Sequence, residues 1–254
     1  MKKERLDVLL VNRGLAESRE KAKRTIMAGL VTVGGRVEDK PGSVFDTESE
    51  IAVTGRECPY VSRGGLKLEK AIEDWGVDCR GKVCMDMGAS TGGFTDCMLQ
   101  HGAARVMAID VGTNQLAYRL RTDPRVWVRE NFNARNLTIA DLPERPSRAV
   151  TDVSFISLKL ILPPMADVLL PGGEMVSLVK PQFEAGRGQA PGGVVSDPAV
   201  RQRVLEDITA FGEQTLGLTL LGTAESPIRG REKGNVEYLA HWRKSCTPNR
   251  NVVN

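Results

Sequence analysis

Histidine, aromatic residues and paired cysteines are all scarce in this 254-residue chain. With only two histidines, His101 and His241, neither a histidine-based catalytic triad nor a histidine-rich metal centre is expected. The five cysteines (Cys58, Cys79, Cys84, Cys97 and Cys246) are odd in number, scattered, and form no Cys-x-x-Cys pair. That pattern argues for reduced thiols in a cytoplasmic protein, against a disulfide framework and against a zinc site. No run of 18 apolar residues occurs, so no membrane span is expected. The opening "MKKERLDVLLVNRG" is basic, but Asp7 and Asn12 cut its apolar run and no small-residue cleavage site follows. It does not read as a secretion signal.

Bulk composition is ordinary for a globular protein, at 41% hydrophobic and 26% charged. The length allows one large domain, or a large one with a small one. A net charge of +3 means little by itself, but its distribution is uneven. Residues 1–24 hold eight Lys/Arg against four Asp/Glu, whereas residues 25–60 hold three against six. A basic face at the front of a balanced chain suggests a polyanionic partner.

Leu6, Leu9 and Leu10 recur at helical spacing, and Gly14 ends that first helix. Ser18 is placed to cap a second helix, "REKAKRTIMAG", closed by Gly29. "LVTVGGRVE" reads as a hairpin turning at Gly34-Gly35, and "KPGSVFDTESEIAV" adds another short strand. From "RGGLKLEKAIEDWG", an amphipathic helix, the grammar changes. Strands "KVCMDMG", "RVMAID", "VWVREN", "SRAVTDVSF" and "EMVSLVK" alternate with helices "FTDCMLQHG", about 115–120 and 156–168. "DPAVRQRVLEDITAFGEQ" is a long helix, and "LTLLGTAESP" and "NVEYLAHWRK" are candidate closing strands. This alternation predicts an α/β fold: a Rossmann-like open, mostly parallel sheet with helices on both faces, preceded by a small α+β unit. Residues 183–197 are glycine-rich and without periodicity, so they are expected to be a functional or disordered loop. The expected division is 1–60, a linker over about 57–63, a main domain over 64–245, and a frayed tail over 246–254.

"MDMGASTGGFT" follows a predicted strand and opens a helix. Gly88, Gly92 and Gly93 permit a tight turn and the close approach of a nucleotide-like ligand, with Ala89, Ser90 and Phe94 in the same loop. Asp110, followed by Val111, ends the next strand, where a carboxylate can take both ribose hydroxyls. The glycines alone would also fit a dinucleotide site or a plain structural turn. Asp86 favours S-adenosylmethionine, because a pyrophosphate would be repelled by it. Asn133 in "ENFNARNL" is a candidate adenine contact, or else an ordinary turn asparagine. Arg5, Arg19, Lys21, Lys23, Arg24 and Arg63 are candidate phosphate contacts, although a charged run is often only a solvated face. Lys180 ends an apolar strand at Pro181, so it must either snorkel to water or be kept for use.

"RGGLKL", "DMGASTGGFT", "TDVSFIS", "LVKPQFE" and "GNVEYL" together resemble the FtsJ-like ribose 2′-O-methyltransferases. "RLDVLLVNRGLAESREKAKRTIMAGLVTVGGRVEDKPG" resembles the RNA-binding (αL) domain named for ribosomal protein S-four. The two in this order resemble the TlyA family of rRNA 2′-O-methyltransferases, whose members often carry the older label "hemolysin". The resemblance covers nearly the whole chain, with one departure from FtsJ itself, Thr91 in place of a loop proline. It implies S-adenosylmethionine as cofactor, and a cytidine 2′-hydroxyl in ribosomal RNA or a ribosomal subunit as substrate. It also implies a tetrad of Lys67, Asp152, Lys180 and Glu237, with Asp152 also facing the cofactor. Lys180 would be the general base, Lys67 a stabiliser of oxyanion charge, Asp152 a bridge to the cofactor's methyl end, and Glu237 an orienting group in a late strand. No metal is implied. Three other readings have sequence counterarguments. Base methylation lacks an Asn-Pro-Pro-aromatic motif or a Pro-Cys pair. A membrane-damaging cytolysin lacks a spanning segment or a long amphipathic anchor. A non-catalytic ribosome-binding module would not need the tetrad.

Overall fold

The computed structural model describes residues 3–54, 58–186, 188–230 and 233–246. Glu57 of the expected linker and residues 247–254 of the expected tail lie outside them. The chain divides into two compact units, Met1–Arg63 and Gly64–Asn254.

In the first unit, helices α1 (Leu6–Asn12) and α2 (Arg19–Met27) lay their apolar stripes together. Leu6, Leu10, Ala22, Ile26 and Val31 form a small core. Ser18 accepts a hydrogen bond from the Lys21 amide and starts α2. The hairpin of β2 (Val31–Val33) and β3 (Arg36–Glu38) turns through Gly34 and Gly35, both at positive φ, as its tight turn requires. The expected single strand beyond it is two strands. Asp46 accepts from the Glu48 amide and turns the chain between β4 (Val44–Asp46) and β5 (Ile51–Val53). Strand β4 pairs with β1 (Lys3–Arg5), which the helical spacing beside it had concealed, and β5 pairs with β2.

The second unit opens with α3 (Gly64–Trp75), then β6 (Val83–Met87), α4 (Gly93–Gln100) and β7 (Arg105–Ile109). Next come α5 (Tyr118–Arg121), β8 (Val126–Arg129) and β9 (Arg148–Thr151). They are followed by α6 (Leu162–Val168), β10 (Glu174–Val179), α7 (Pro181–Glu184), α8 (Pro198–Ala210), β11 (Leu218–Glu225) and β12 (Tyr238–Lys244). The sheet order is β11-β12-β10-β9-β6-β7-β8. Only β12 runs antiparallel to its neighbours. From β6 the connections progress one way to β7 and β8 and the other way to β9 and β10. The crevice outside the carboxyl ends of β6 and β9 is therefore the switch point where open α/β sheets bind ligands.

Several expected boundaries move for local reasons. Helix α6 begins at Leu162, not 156, because Pro163 and Pro164 suit only a first turn; a 3-10 turn at Leu158–Leu160 precedes it. Helix α5 covers 118–121 rather than 115–120, and β9 stops at Thr151 rather than running to Phe155. Residues 183–197 are not an unstructured loop. The end of helix α7 and a 3-10 turn at Pro191–Gly193 fall within them. Asn235 accepts from the Val195 amide and donates to the Gly193 carbonyl, which pins the segment. Ser177, the one polar residue of the buried stretch Met175–Val179 in β10, accepts from the buried Trp242 indole at 2.9 Å.

Candidate active site

Lys180 leaves β10 as the residue before α7, and Pro181 stops the ladder there. It does not snorkel: only 8% of Lys180 is exposed, as is only 8% of Lys67 on the buried face of α3. The carboxylate between them is Asp152, one residue past β9. Lys67 Nζ donates to Glu237 Oε2 at 2.8 Å and to Asp152 Oδ2 at 3.3 Å. Lys180 Nζ lies 2.6 Å from Asp152 Oδ1, an ion-pair distance without the angle of a hydrogen bond. Its hydrogen bonds run to Ser154 Oγ at 2.8 Å and to the Asp152 carbonyl at 3.5 Å. Glu237 directly precedes β12 instead of lying inside it, and its carbonyl accepts from the Ser226 amide. A Cβ on Gly230 would stand 2.9 Å from Glu237 Oε1, so any side chain there would push on this carboxylate. The sheet thus brings together Lys67, Asp152, Lys180 and Glu237 from positions 170 residues apart.

Burial disfavours charge on Lys67, but attraction to Asp152 and Glu237 outweighs it and raises this lysine above its ordinary value. Lys67 is accordingly held as a cation. The cluster sets two lysines against two carboxylates. Its carboxylates are shared unequally: Lys67 engages both, and Lys180 only one.

The glycine loop follows β6. Asp86 is buried, with Oδ2 accepting from Thr95 Oγ1 at 2.6 Å and Oδ1 without a partner. Burial pushes this carboxyl up to about 7, against the opposing Thr95 hydrogen bonds. Gly88 (φ +82°) leaves room for Val153, and a side chain on Gly92 (φ +94°) would collide with Leu116 and Leu120. Gly93 begins α4; Ala89, Gly92, Gly93 and Phe94 are buried, while Ser90 is exposed. Asp110 follows β7, where its Oδ2 accepts from the Ser90 amide at 2.8 Å and its Oδ1 from the Gly112 amide at 2.7 Å. Each oxygen keeps a further lone pair for a hydroxyl. Val111 is 72% exposed beside it. Asn133 accepts from the Arg135 amide and caps a 3-10 turn at Ala134–Asn136, with its side chain exposed.

Of the candidate phosphate contacts, Arg5 and Arg19 both point to Asp7, at 2.9 Å and 3.0 Å. Lys21 lies 3.1 Å from Glu17. Lys23 and Arg24 are exposed on α2, and Arg63 is half-buried. Among the described residues, no group of three or more His, Cys, Asp or Glu could hold a metal ion. Nor is any helix there long and apolar enough to cross a membrane.

Sequence reasoning missed Ser154, Thr95 and Phe155. Phe155 is 80% exposed, adopts φ +62°, and leans on Phe183 at 5.0 Å between ring centroids. The motif "TDVSF" was visible, but read as strand it hid the turn that aims these side chains.

Residues 60–244 match the model of the FtsJ-like methyltransferases, which takes in β6–β12 and all four residues of the cluster. The chain belongs to the FtsJ-like methyltransferase family. Residues 4–51 match the S4 domain. A Bacillus subtilis (strain 168) protein, YqxC, named as a candidate rRNA methyltransferase, is 52% identical over 94% of this chain and 85% of its own. The 16S/23S rRNA (cytidine-2′-O)-methyltransferase TlyA of Mycobacterium tuberculosis (strain ATCC 25618 / H37Rv) is 46% identical, covering 96% and 90%. A solved structure of a candidate hemolysin from Streptococcus thermophilus is 49% identical, covers 99% of this chain and 92% of that one, and superposes with a TM-score of 0.77. FtsJ-like methyltransferases use S-adenosylmethionine, and the residues present fit it. Asp86 offers a buried oxygen with no partner, Gly88 and Gly92 clear the loop, and Asp110 keeps acceptor capacity on both carboxylate oxygens just past β7.

Proposed function

We propose that this chain methylates a ribose 2′-hydroxyl, that of a cytidine, in ribosomal RNA. The observation that carries the reading is the Glu237–Lys67–Asp152–Lys180 chain of contacts beside a loop suited to S-adenosylmethionine. The names of the M. tuberculosis relative and of the S4 domain support the substrate class.

S-adenosylmethionine supplies an electrophilic methyl group on a sulfonium. Asp86, the Gly88–Phe94 loop, Asp110 and Val111 would hold it, together with Asn133. The protein's remaining task is to take the hydroxyl proton as the new C–O bond forms, since a ribose hydroxyl is a weak acid. Lys180 accepts that proton on Nζ. Lys67 stays charged and lies where it offsets negative charge developing on the oxygen. Asp152 contacts both lysines and fixes their separation, and Glu237 orients Lys67. Phe155 offers an exposed ring against Phe183, whose own ring lies 5.9 Å from Lys180 Nζ, and the target base can stack on it. Phosphates of the RNA meet Lys23, Arg24 and the outward faces of Arg5, Arg19 and Lys21, with Arg63 at the end of the first unit.

The test is to incubate the protein with tritiated S-adenosylmethionine and undermethylated ribosomal subunits, then map the label. Label on a ribose 2′-oxygen of a cytidine is expected. Label on a base, or none, would overturn the reading.

A further inference from the structure

We propose that Ser154 is a positioning residue for Lys180, orienting its amine and carrying its proton out to solvent between turnovers. The inference rests on the reading of Lys180 as general base.

Among the described residues, three oxygens surround Lys180 Nζ: Asp152 Oδ1 at 2.6 Å, Ser154 Oγ at 2.8 Å and the Asp152 carbonyl at 3.5 Å. An ammonium has three protons to give, so all three oxygens suit the charged form. A base must present a lone pair, and neither carboxylate nor carbonyl has a proton to offer it. A hydroxyl donates as well as accepts. Ser154 is therefore the one of the three that fits both forms of the lysine. It also has access to water: Ser154 is exposed, whereas Lys180 is buried.

The backbone is bent to bring this serine back. Strand β9 ends at Thr151, and the chain turns through Asp152–Phe155, so that the Asp152 carboxylate and the Ser154 hydroxyl meet the same amine. Phe155 closes the turn at φ +62°, in the left-handed region that favours glycine. Such a conformation costs about 1–3 kcal/mol and persists where surrounding structure enforces it, most often at functional sites.

The proton balance is simple. Lys180 takes the ribose proton and becomes an ammonium. An N–H bond then breaks towards Ser154 Oγ as the original Ser154 O–H proton passes to a solvent water. Lysine is neutral again, serine is unchanged, and one proton has reached bulk water. As substrate arrives, the remaining N–H groups are occupied by Asp152 and Ser154, which leaves the lone pair facing the hydroxyl.

The experiment measures kcat and KM for undermethylated subunits across roughly pH 6–10, the span below and around a lysine's reference value. Wild type, Ser154→Ala, Ser154→Thr and Lys180→Ala are compared. Ser154→Ala is expected to lower kcat about tenfold near neutral pH, the rate equivalent of one hydrogen bond. The loss should be largest at the low end of that range and shrink as pH rises, where hydroxide can take the lysine's proton without the serine. KM for RNA, cofactor affinity and thermal midpoint should be unchanged, and Ser154→Thr should restore rate and profile. A wild-type profile in Ser154→Ala overturns the proposal, as does a loss equal at every pH that threonine does not repair. If Lys180→Ala is inactive and Ser154→Ala is normal, only the role of serine falls. If Lys180→Ala keeps its activity, the general-base reading falls first.

Discussion

Two buried aspartates, one in each unit, end up on opposite sides of the ordinary carboxylate range. Asp7 in the S4 unit is fully buried beside two arginines. The Arg5 guanidinium, joined by Arg19, holds its carboxyl down at about 2. Asp86 in the methyltransferase unit is equally buried but has one hydroxyl partner and a vacant oxygen, and burial pushes it up to about 7. The small unit spends its buried charge on holding the fold, whereas the catalytic unit leaves buried polar capacity open. A domain of about sixty residues has little apolar area to draw on, so a satisfied ion cluster matters to it. A sheet of seven strands can carry an unsatisfied carboxylate where a ligand is to complete it.

The largest expected effect lies where open capacity meets chemistry. If Lys180 is the general base proposed above, Lys180→Ala should lower methyl transfer by about 10²–10⁴-fold with cofactor and RNA affinity nearly unchanged, because a general base acts in the transition state. Lys180→Arg should not rescue it, since arginine keeps its proton. Single-turnover transfer and calorimetric binding separate the two quantities. Near wild-type turnover in the arginine variant would reduce residue 180 to a cation and put deprotonation elsewhere.

Asp86→Asn should split stability from function. A carboxyl raised from 3.8 to about 7 loses the folded state stability as pH rises between those values, because the unfolded chain releases its proton first. Removing the charge should therefore stabilise the cofactor-free protein above pH 7 by on the order of 1–3 kcal/mol and flatten that part of the pH–stability curve. Cofactor affinity should fall about tenfold or more if Asp86 Oδ1 receives a cationic group of the cofactor. A variant that is less stable at pH 8, or that binds the cofactor as tightly as wild type, would break the comparison.

How far the sequence revealed this arrangement depended on what each residue answers to. The order of strands followed from apolar runs and turn residues, which act locally, so β6 to β12 could be placed within a few residues. The approach of Lys67 to Glu237 across 170 positions is a product of sheet order, and only the family motifs pointed to it. Asp7 was read merely as an interruption of an apolar run, because nothing local announces that Arg5 and Arg19 converge on it. Ser154 and Phe155 were hidden because an isolated stretch "RAVTDVSF" has strand composition. The positive φ at Phe155, whose ring packs on Phe183 28 positions away, is not something its own residue type announces.

Asp7→Asn is the smaller counterpart. A carboxyl lowered from 3.8 to about 2 contributes stability that is present above about pH 4 and lost as pH falls through 2. The asparagine variant should lose about 1–2 kcal/mol at neutral pH, discounted for the half-exposed arginines, and should no longer weaken between pH 4 and 2. Hydrogen exchange in α1 and α2 follows the loss directly. Methyl transfer at saturating RNA should hardly change, in contrast with Lys180→Ala.

The finest division runs through the basic face of the S4 unit itself. Arg5 and Arg19 both form ion pairs with Asp7 and are half-exposed, so under the proposed reading they would serve the fold and the RNA together. Lys23 and Arg24 are exposed on α2. If Lys23 and Arg24 meet phosphates, Lys23→Ala or Arg24→Ala should weaken RNA binding only several-fold. Each should lower the slope of log affinity against log salt by about 0.7–0.9, the counterion release of one phosphate contact. The thermal midpoint should not move, because an exposed lysine or arginine adds little to stability. Arg5→Ala and Arg19→Ala should show the same change in slope together with a lower midpoint, since each removes one partner of a buried carboxylate. Titrations at three or more salt concentrations, paired with thermal melts, resolve the two signatures. Equal melting losses for all four variants would mean that α2 holds the unit together as β1 does, and that this face has no residues reserved for RNA.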